Sequence, residues 1–424
     1  MVRKLKHTEI GDIPVDWELQ TFDETFRVLS NNTLSRENLN NRGGAVRNIH
    51  YGDILTKFPE VLNCKEEIPY VNELSLLSSS TQLLQDGDIV IADTAEDETV
   101  GKVTEVQNLG DSKLVAGLHT IPCRVKKGDF APGWLGYYMN SNLFHNQILP
   151  YITGIKVSSI SKGAISETLI LVPPFDEQEK IVQLLNEVQL LMTAETKVVN
   201  KMKFVKNGCL SKMFPQKDAT VPEMRLPGFT EAWEQRKLSD IADVRDGTHA
   251  SPKYISEGHP LVTSKNVKDG FVNYDDIQYI SDEDFDEINK RSKVDVNDVL
   301  MGMIGTIGNI ALIRKEPDFA IKNVALIKDA KKINYLYLYH FLQSNNTTKQ
   351  LTNSMDGGTQ KFIALGNIRN LDIDIPSDQE QAKLGQYFES LDHLITLHQC
   401  KCDKYSNIKK GMMSDLLTGK IRLV

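Results

Sequence analysis

The chain has 424 residues, 40% of them hydrophobic and 25% charged, with a mean hydropathy of −0.31 and a formal net charge of −8. This is the profile of a globular chain with material for more than one core, and it excludes collagen-like and low-complexity classes. No apolar run approaches the ~20 residues of a membrane helix, and the basic start Arg3-Lys4-Leu5-Lys6-His7 leads into no apolar segment. Neither a membrane span nor a signal peptide is expected, and the chain reads as cytoplasmic. An acidic total disfavours non-specific phosphate binding, so any DNA contact needs local basic loops or a partner.

Read in chain order, short β-like runs appear at Asp88–Ile91, Thr120–Val125 and Thr168–Val172, with one helix near Leu135–Gln147. A long helix follows Pro173-Pro174. From Ile181 its apolar residues recur mostly at spacings of three and four: Leu184, Val188, Leu191, Val198, Met202, Val205. This heptad-like stripe predicts a coiled-coil helix over Gln178–Phe214, roughly 55 Å long. Asp176 can cap its start. Pro215–Pro227 reads as a linker. The pattern then replays: β-like runs at Asp298–Met301, Asn309–Ile313 and Leu371–Ile375, a helix near Tyr335–Leu342, and a second heptad stripe through Leu384, Tyr387, Leu391, Leu394, Tyr405, Ile408 and Met412.

The replay is an internal repeat. Pro173 falls on Pro376 at a shift of 203 residues, and the same register carries Lys180 onto Lys383, Lys206 onto Lys409 and Gly208 onto Gly411. Trp17-Glu18 echoes Trp233-Glu234 at a shift of 216. The predicted fold is α+β: two repeated globules, each followed by a long helix, with the two helices forming an antiparallel coiled coil. The boundaries are 1–175 and 228–376 for the globules, 176–214 and 377–424 for the helices, and 215–227 for the linker. Glu195 and His398 share a repeat position and both interrupt the apolar stripe near mid-helix. An antiparallel pair should bring them together.

Catalytic signals are missing. There is no Walker A loop, no HExxH and no clustered His/Cys set. Gly302, Gly305 and Gly308 form GxxGxxG rather than GxGxxG and read as a turn between strands. Val172-Pro173-Pro174-Phe175 resembles an amino-methyltransferase motif only superficially, because Val172 cannot hydrogen-bond an amine. The five cysteines are scattered, and Cys400-Lys401-Cys402 lies within the helical stripe, so packing is favoured over metal binding.

The Pro-x-x-x-Glu-Gln helix starts at Pro173 and Pro376, the Trp-Glu openings, the segment Pro227–Leu238, Asp246-Gly247-Thr248-His249 and the ending Leu416-Leu417-Thr418-Gly419-Lys420 resemble the specificity subunit of type I restriction-modification systems. The first half lacks a Gly-Thr-His segment. The resemblance implies two target recognition domains that read the halves of a bipartite site in double-stranded DNA, with the helices as spacer. It also implies two methyltransferase subunits that methylate adenine with S-adenosylmethionine, and motor-nuclease subunits that use ATP and Mg. The chain itself would hold no cofactor or metal and catalyse nothing. Polar, basic loops then nominate Thr248, His249, Lys253, Lys265, Asn266, Thr359, Gln360 and Lys361 as DNA-binding residues in the second domain. Repeat position nominates Lys156, Ser158 and Ser159 in the first, with Arg47, Asn48 and His50 as further candidates. The repeat and heptads alone leave open a coiled-coil scaffold with no DNA role.

Overall fold

The computed structural model describes residues 4–154, 156–216, 219–355 and 361–423. The chain divides into two units, Met1–Ala194 with Lys401–Val424, and Glu195–Cys400. Both mix helix and strand. Among the described residues no helix is long and apolar enough to cross a membrane.

In the first unit a five-stranded sheet runs in the order Phe26–Val28, Thr120–Val125, Ile89–Ala92, Val103–Gln107, Val61–Asn63. Its pairings are antiparallel except the last, which is parallel. A four-stranded sheet, Lys113–Ala116, Val46–Ile49, Tyr70–Val71, Leu39–Asn40, accompanies it. The strand Ile89–Ala92 is apolar throughout because both of its faces are covered. Ile89 and Ile91 join a core with Trp17, Trp134, Tyr138 and Ile181, while Val90 and Ala92 join a second core with Leu62, Val106 and Leu114.

The second unit repeats this plan. Its sheet runs Asp243–Asp246, Val324–Lys328, Val299–Gly302, Ile310–Leu312. Val299 and Met301 face one core with Trp233, Tyr337 and Phe388, and Leu300 faces another with Val262 and Ile321. In each unit a parallel pair lies in the neighbouring sheet: Val46–Ile49 beside Lys113–Ala116, and Leu261-Val262 beside Ala320-Ile321.

The helix expected near Leu135–Gln147 is two, Trp134–Tyr138 and Asn142–Ile148. Ser141 caps the second, accepting from the Phe144 amide at 3.3 Å, and a capping serine ends one helix and begins another. Likewise Tyr335–Phe341 is followed by Asn345–Asn353 behind Ser344.

The long helices span Phe175–Lys212 and Asp378–Leu416. Each begins with the Glu-Gln of its motif, and both side chains are buried. The Glu177 carboxylate accepts from Trp17 Nε1 at 2.9 Å and from Arg422 Nε at 2.7 Å. Gln178 accepts from the Ala131 amide and donates to the Pro173 carbonyl, at 3.0 and 2.8 Å. In the second unit Glu380 takes the Arg225 fork at 2.7 and 2.8 Å, and Gln381 accepts from the Asn334 amide at 2.9 Å. Each arginine also lies over its unit's tryptophan, Arg422 on Trp17 and Arg225 on Trp233. The two motifs that mark the repeat are therefore one lock: a tryptophan, an arginine and a buried glutamate at the helix start.

Within each unit the long-helix segments touch in opposed directions. In the second, Cys209 meets Tyr387 at 3.4 Å, Lys206 meets Asp392 at 2.6 Å, and Glu195 meets His398 at 2.5 Å. In the first, Lys409 donates to Gln189 at 2.7 Å. Lys206 and Lys409 occupy the same repeat position and do the same work.

Candidate nucleic-acid interface

The second unit assembles a polar cluster where its outer strand leaves the sheet. Asp243–Asp246 pairs antiparallel with Val324–Lys328, and the chain then turns through Gly247-Thr248-His249. The Thr248 amide donates to the Ile321 carbonyl at 2.9 Å, and its hydroxyl accepts from the Ala250 amide at 3.1 Å. Asn323 has a positive φ of 53°, a conformation that asparagine tolerates better than most residues. It is thereby placed so that its side-chain carbonyl faces His249 Nδ1 at 2.7 Å, while Asp246 faces Nε2 at 2.8 Å. Asn323 and Asp246, both accepting from the ring, hold the His249 imidazole above its ordinary range, because only the charged ring can donate from both nitrogens. Arg291 in turn pairs with Asp246.

Ser264 links this loop to the next. Its hydroxyl donates to the Asn323 carbonyl at 2.8 Å and accepts from the Met303 amide at 3.0 Å. Ile304 then bridges to Phe362, beside exposed Lys361. Thr248, His249 and Lys361 are thus tied into one neighbourhood. Lys265 is exposed and donates to the Asp276 carbonyl at 3.1 Å, and Lys253 is exposed on the loop beyond His249. Thr359 and Gln360 lie outside the described residues.

Asn266 requires a correction. It is 2% exposed, its carbonyl accepts from the Thr263 amide and hydroxyl at 3.0 and 2.8 Å, and its NH2 donates to the Asn273 carbonyl at 3.1 Å. Its amide is spent on holding a turn. Three further candidates are buried as well. Arg47, Asn48 and His50 are 7%, 0% and 7% exposed. They sit on and just after the buried strand Val46–Ile49, where Arg47 donates to the Cys64 carbonyl and Asn48 accepts from Asn32 at 2.7 Å. His50 caps the helix Tyr51–Thr56, and burial pushes its imidazole down.

In the first unit Lys156 is exposed, while Ser158 and Ser159 are half-buried and pair with Thr94-Ala95. That pairing draws in residues that sequence reasoning missed. The Asp93 amide donates to the His119 carbonyl at 3.1 Å and the Ile160 amide to the Asp93 carbonyl at 2.9 Å, so residues 93, 119 and 160 are laced together. Thr94 lies 3.2 Å from His119 Nδ1. Asp93, Thr94 and His119 have no shared sequence motif, and only strand pairing unites them.

One His/acid group has metal-like spacing among the described residues: His340, Glu389 and Asp392. Its carboxylates are engaged otherwise, Glu389 by Arg314 at 2.9 Å and Asp392 by Lys206 at 2.6 Å. Beside His340 and paired with Arg314, the Glu389 carboxyl is held down to about 2. These ion pairs fasten Arg314 and Lys206 to the long helix Asp378–Leu416, and burial pushes the His340 imidazole between them down.

The fold and site define a class: a tandem α+β repeat, each copy closed by a long helix and carrying a polar loop cluster beside its sheet. Residues 230–404 match the type I restriction modification DNA specificity domain. Along 99% of its length the chain is 23% identical to a putative type I restriction enzyme MjaX specificity subunit of Methanocaldococcus jannaschii, covering 96% of that protein. It is 25% identical to the EcoKI specificity subunit of Escherichia coli K12, across 74% of this chain and 70% of the relative. The fold is similar to the type I restriction-modification S subunit of M. genitalium, with a TM-score of 0.58 and 14% identity, covering 98% of this chain and 99% of that one. Over nearly its whole length the chain is thus similar in sequence and in fold to type I restriction-modification specificity subunits, and its second half matches their DNA specificity domain.

Proposed function

We propose that this chain is the sequence-reading subunit of a type I restriction-modification complex, and that each unit reads one half of a bipartite target in double-stranded DNA. The observation that carries this reading is the duplication: matched antiparallel strand pairs recur in both units with a polar residue of positive φ just before the second strand, His119 in one and Asn323 in the other, and residues 230–404 match a DNA specificity domain. The chain is not itself an enzyme. Two methyltransferase subunits using S-adenosylmethionine would act on adenine, and motor-nuclease subunits using ATP and Mg would cut. The setting is the cytoplasm, where DNA and cofactors are at hand.

The long helices are proposed to form an antiparallel coiled coil that sets the distance between half-sites, as dimer spacing does in other DNA-binding proteins. Thr248, His249, Lys253, Lys265 and Lys361 in the second unit, and Lys156, Ser158 and Ser159 in the first, are the proposed contacts to bases and phosphates. Thr359 and Gln360 remain candidates on sequence grounds. Their side-chain types suit phosphate oxygens and base edges.

The test is methylome sequencing of the host with and without the gene for this chain. Loss of one bipartite adenine motif on deletion, and its return on complementation, is the expected result. An unchanged methylome with the same protein partners on purification would leave a scaffold role instead.

A further inference from the structure

The family match begins at residue 230, so it says nothing of which side chains the first unit would present to DNA. The topology supplies a correspondence. In the first unit Phe26–Val28 pairs antiparallel with Thr120–Val125; in the second Asp243–Asp246 pairs antiparallel with Val324–Lys328. The loop leaving the first strand turns back in both cases. The Asn32 amide donates to the Ala116 carbonyl and the Thr248 amide to the Ile321 carbonyl, each at 2.9 Å. Asn31-Asn32-Thr33 therefore stands where the second unit has Gly247-Thr248-His249.

The residue just before the second strand is also matched. His119 has φ 55° and Asn323 has φ 53°. Few non-glycine residues adopt this conformation, and His and Asn are among those enriched in it. In the second unit the turn residue is an asparagine that holds an exposed imidazole on the loop. In the first unit the loop asparagines are structural: Asn31 donates to the Gly117 and Thr120 carbonyls at 3.1 and 3.0 Å, and Asn32 is buried against Asn48. The imidazole is on the turn itself, with the His119 side chain 45% exposed. Each unit thus presents one exposed imidazole at this sheet edge, and the two reach it from different segments.

The surroundings of His119 fix its chemistry. The Thr94 hydroxyl donates to Asp93 Oδ1 at 2.7 Å, which leaves the Thr94 oxygen free to accept from His119 Nδ1 at 3.2 Å. Asp93 Oδ1 itself lies 3.4 Å from Nδ1. The Tyr51 ring stands edge-on at 5.2 Å, and Ser159 pairs with Thr94 across the neighbouring hairpin. Two oxygens beside Nδ1 suit the tautomer that donates from Nδ1 and leaves Nε2 as the acceptor. In a major groove the groups that suit an acceptor are the exocyclic amines of adenine and cytosine.

We propose that His119 is a specificity-determining residue of the first unit, with Nε2 accepting from an exocyclic base amine in the first half-site and Thr94 and Asp93 orienting the ring. This deepens the DNA-reading function proposed above and rests on it. The test complements a deletion host with the full chain carrying His119→Asn, which tolerates the positive φ, or Thr94→Val, and reads the methylome. His119→Asn should relax one position of the first half-site about tenfold or more while the second half-site stays unchanged. Thr94→Val should relax the same position to a smaller degree. An unchanged motif in His119→Asn overturns the assignment. If His119→Asn lowers the melting temperature and abolishes methylation, Thr94→Val decides: relaxation at one first-half position upholds the proposal, and an unchanged motif overturns it. Failure of the wild-type gene to restore any bipartite motif would instead sink the DNA-reading function itself.

Discussion

Asp374 shows how a single carboxylate can set the pH response of a unit. It is 3% exposed, and burial pushes its carboxyl up to about 6, against the hydrogen bonds that its oxygens accept from Gln235 and Asn346 at 3.0 and 3.3 Å. The folded state therefore holds the Asp374 proton more tightly than the unfolded chain does. Stability from this group is fully present below the unfolded value of ~3.9 and is lost as pH rises through about 6. Asp374→Asn should raise stability by about 1–2 kcal/mol at pH 8, since it removes a buried charge and keeps one acceptor. At pH 4 the gain should vanish. Urea melts at the two pH values check this, and equal differences at both would show that Asp374 does not titrate as described. None of this was visible in Leu371–Ile375, which reads only as an alternating strand. Its burial beside Asn346 depends on a helix residue 28 positions away in sequence.

At the scale of elements, the helix Trp134–Tyr138 lies flat against the sheet because Gly136 has no side chain. A Cβ there would meet the Glu60 carbonyl oxygen at 2.3 Å and Glu105 Cβ at 2.9 Å. The Gly136 amide also donates to the buried Glu105 carboxylate at 2.8 Å. Gly136→Ala gains helix propensity, ~1 kcal/mol, yet the Glu60 carbonyl oxygen cannot retreat without breaking the bond it accepts from the Glu105 amide at 2.9 Å. A net loss of about 1–3 kcal/mol in thermal denaturation is expected. A neutral or stabilising effect would mean that the helix can lift off the sheet freely. The sequence foretold the strands on either side, since Thr120–Val125 and Leu169–Val172 are short β-rich runs. It did not foretell the break at Ser141, because the apolar period runs through the cap and only hydrogen bonding separates the two helices.

Across the whole molecule the spacer reading predicts a ruler. Inserting one heptad into each long helix, at matched repeat positions near Asn200 and Asp403, adds about 10.5 Å. Seven residues preserve the apolar seam. The recognised spacer should grow by about three base pairs at 3.4 Å each, while both half-sites keep their sequences. A motif with altered bases and the old spacer would refute a ruler.

The amino-acid sequence by itself determined the duplication, the α+β class, the two long helices and the meeting of Glu195 with His398, because periodicity and repeat register are local or translational signals. The mutual register of Lys206 and Lys409 was legible for the same reason. Tertiary structure alone decided which polar residues face outward. Asn266, Arg47 and Asn48 are chemically apt for DNA, yet strand pairing and turn geometry bury them. His119, which carries no motif, is brought beside Thr94 and Ser159 by bonds between segments far apart in the chain. Composition sets what a side chain can do; burial and hydrogen-bond partners, fixed only when distant strands pair, set whether it is left to do it.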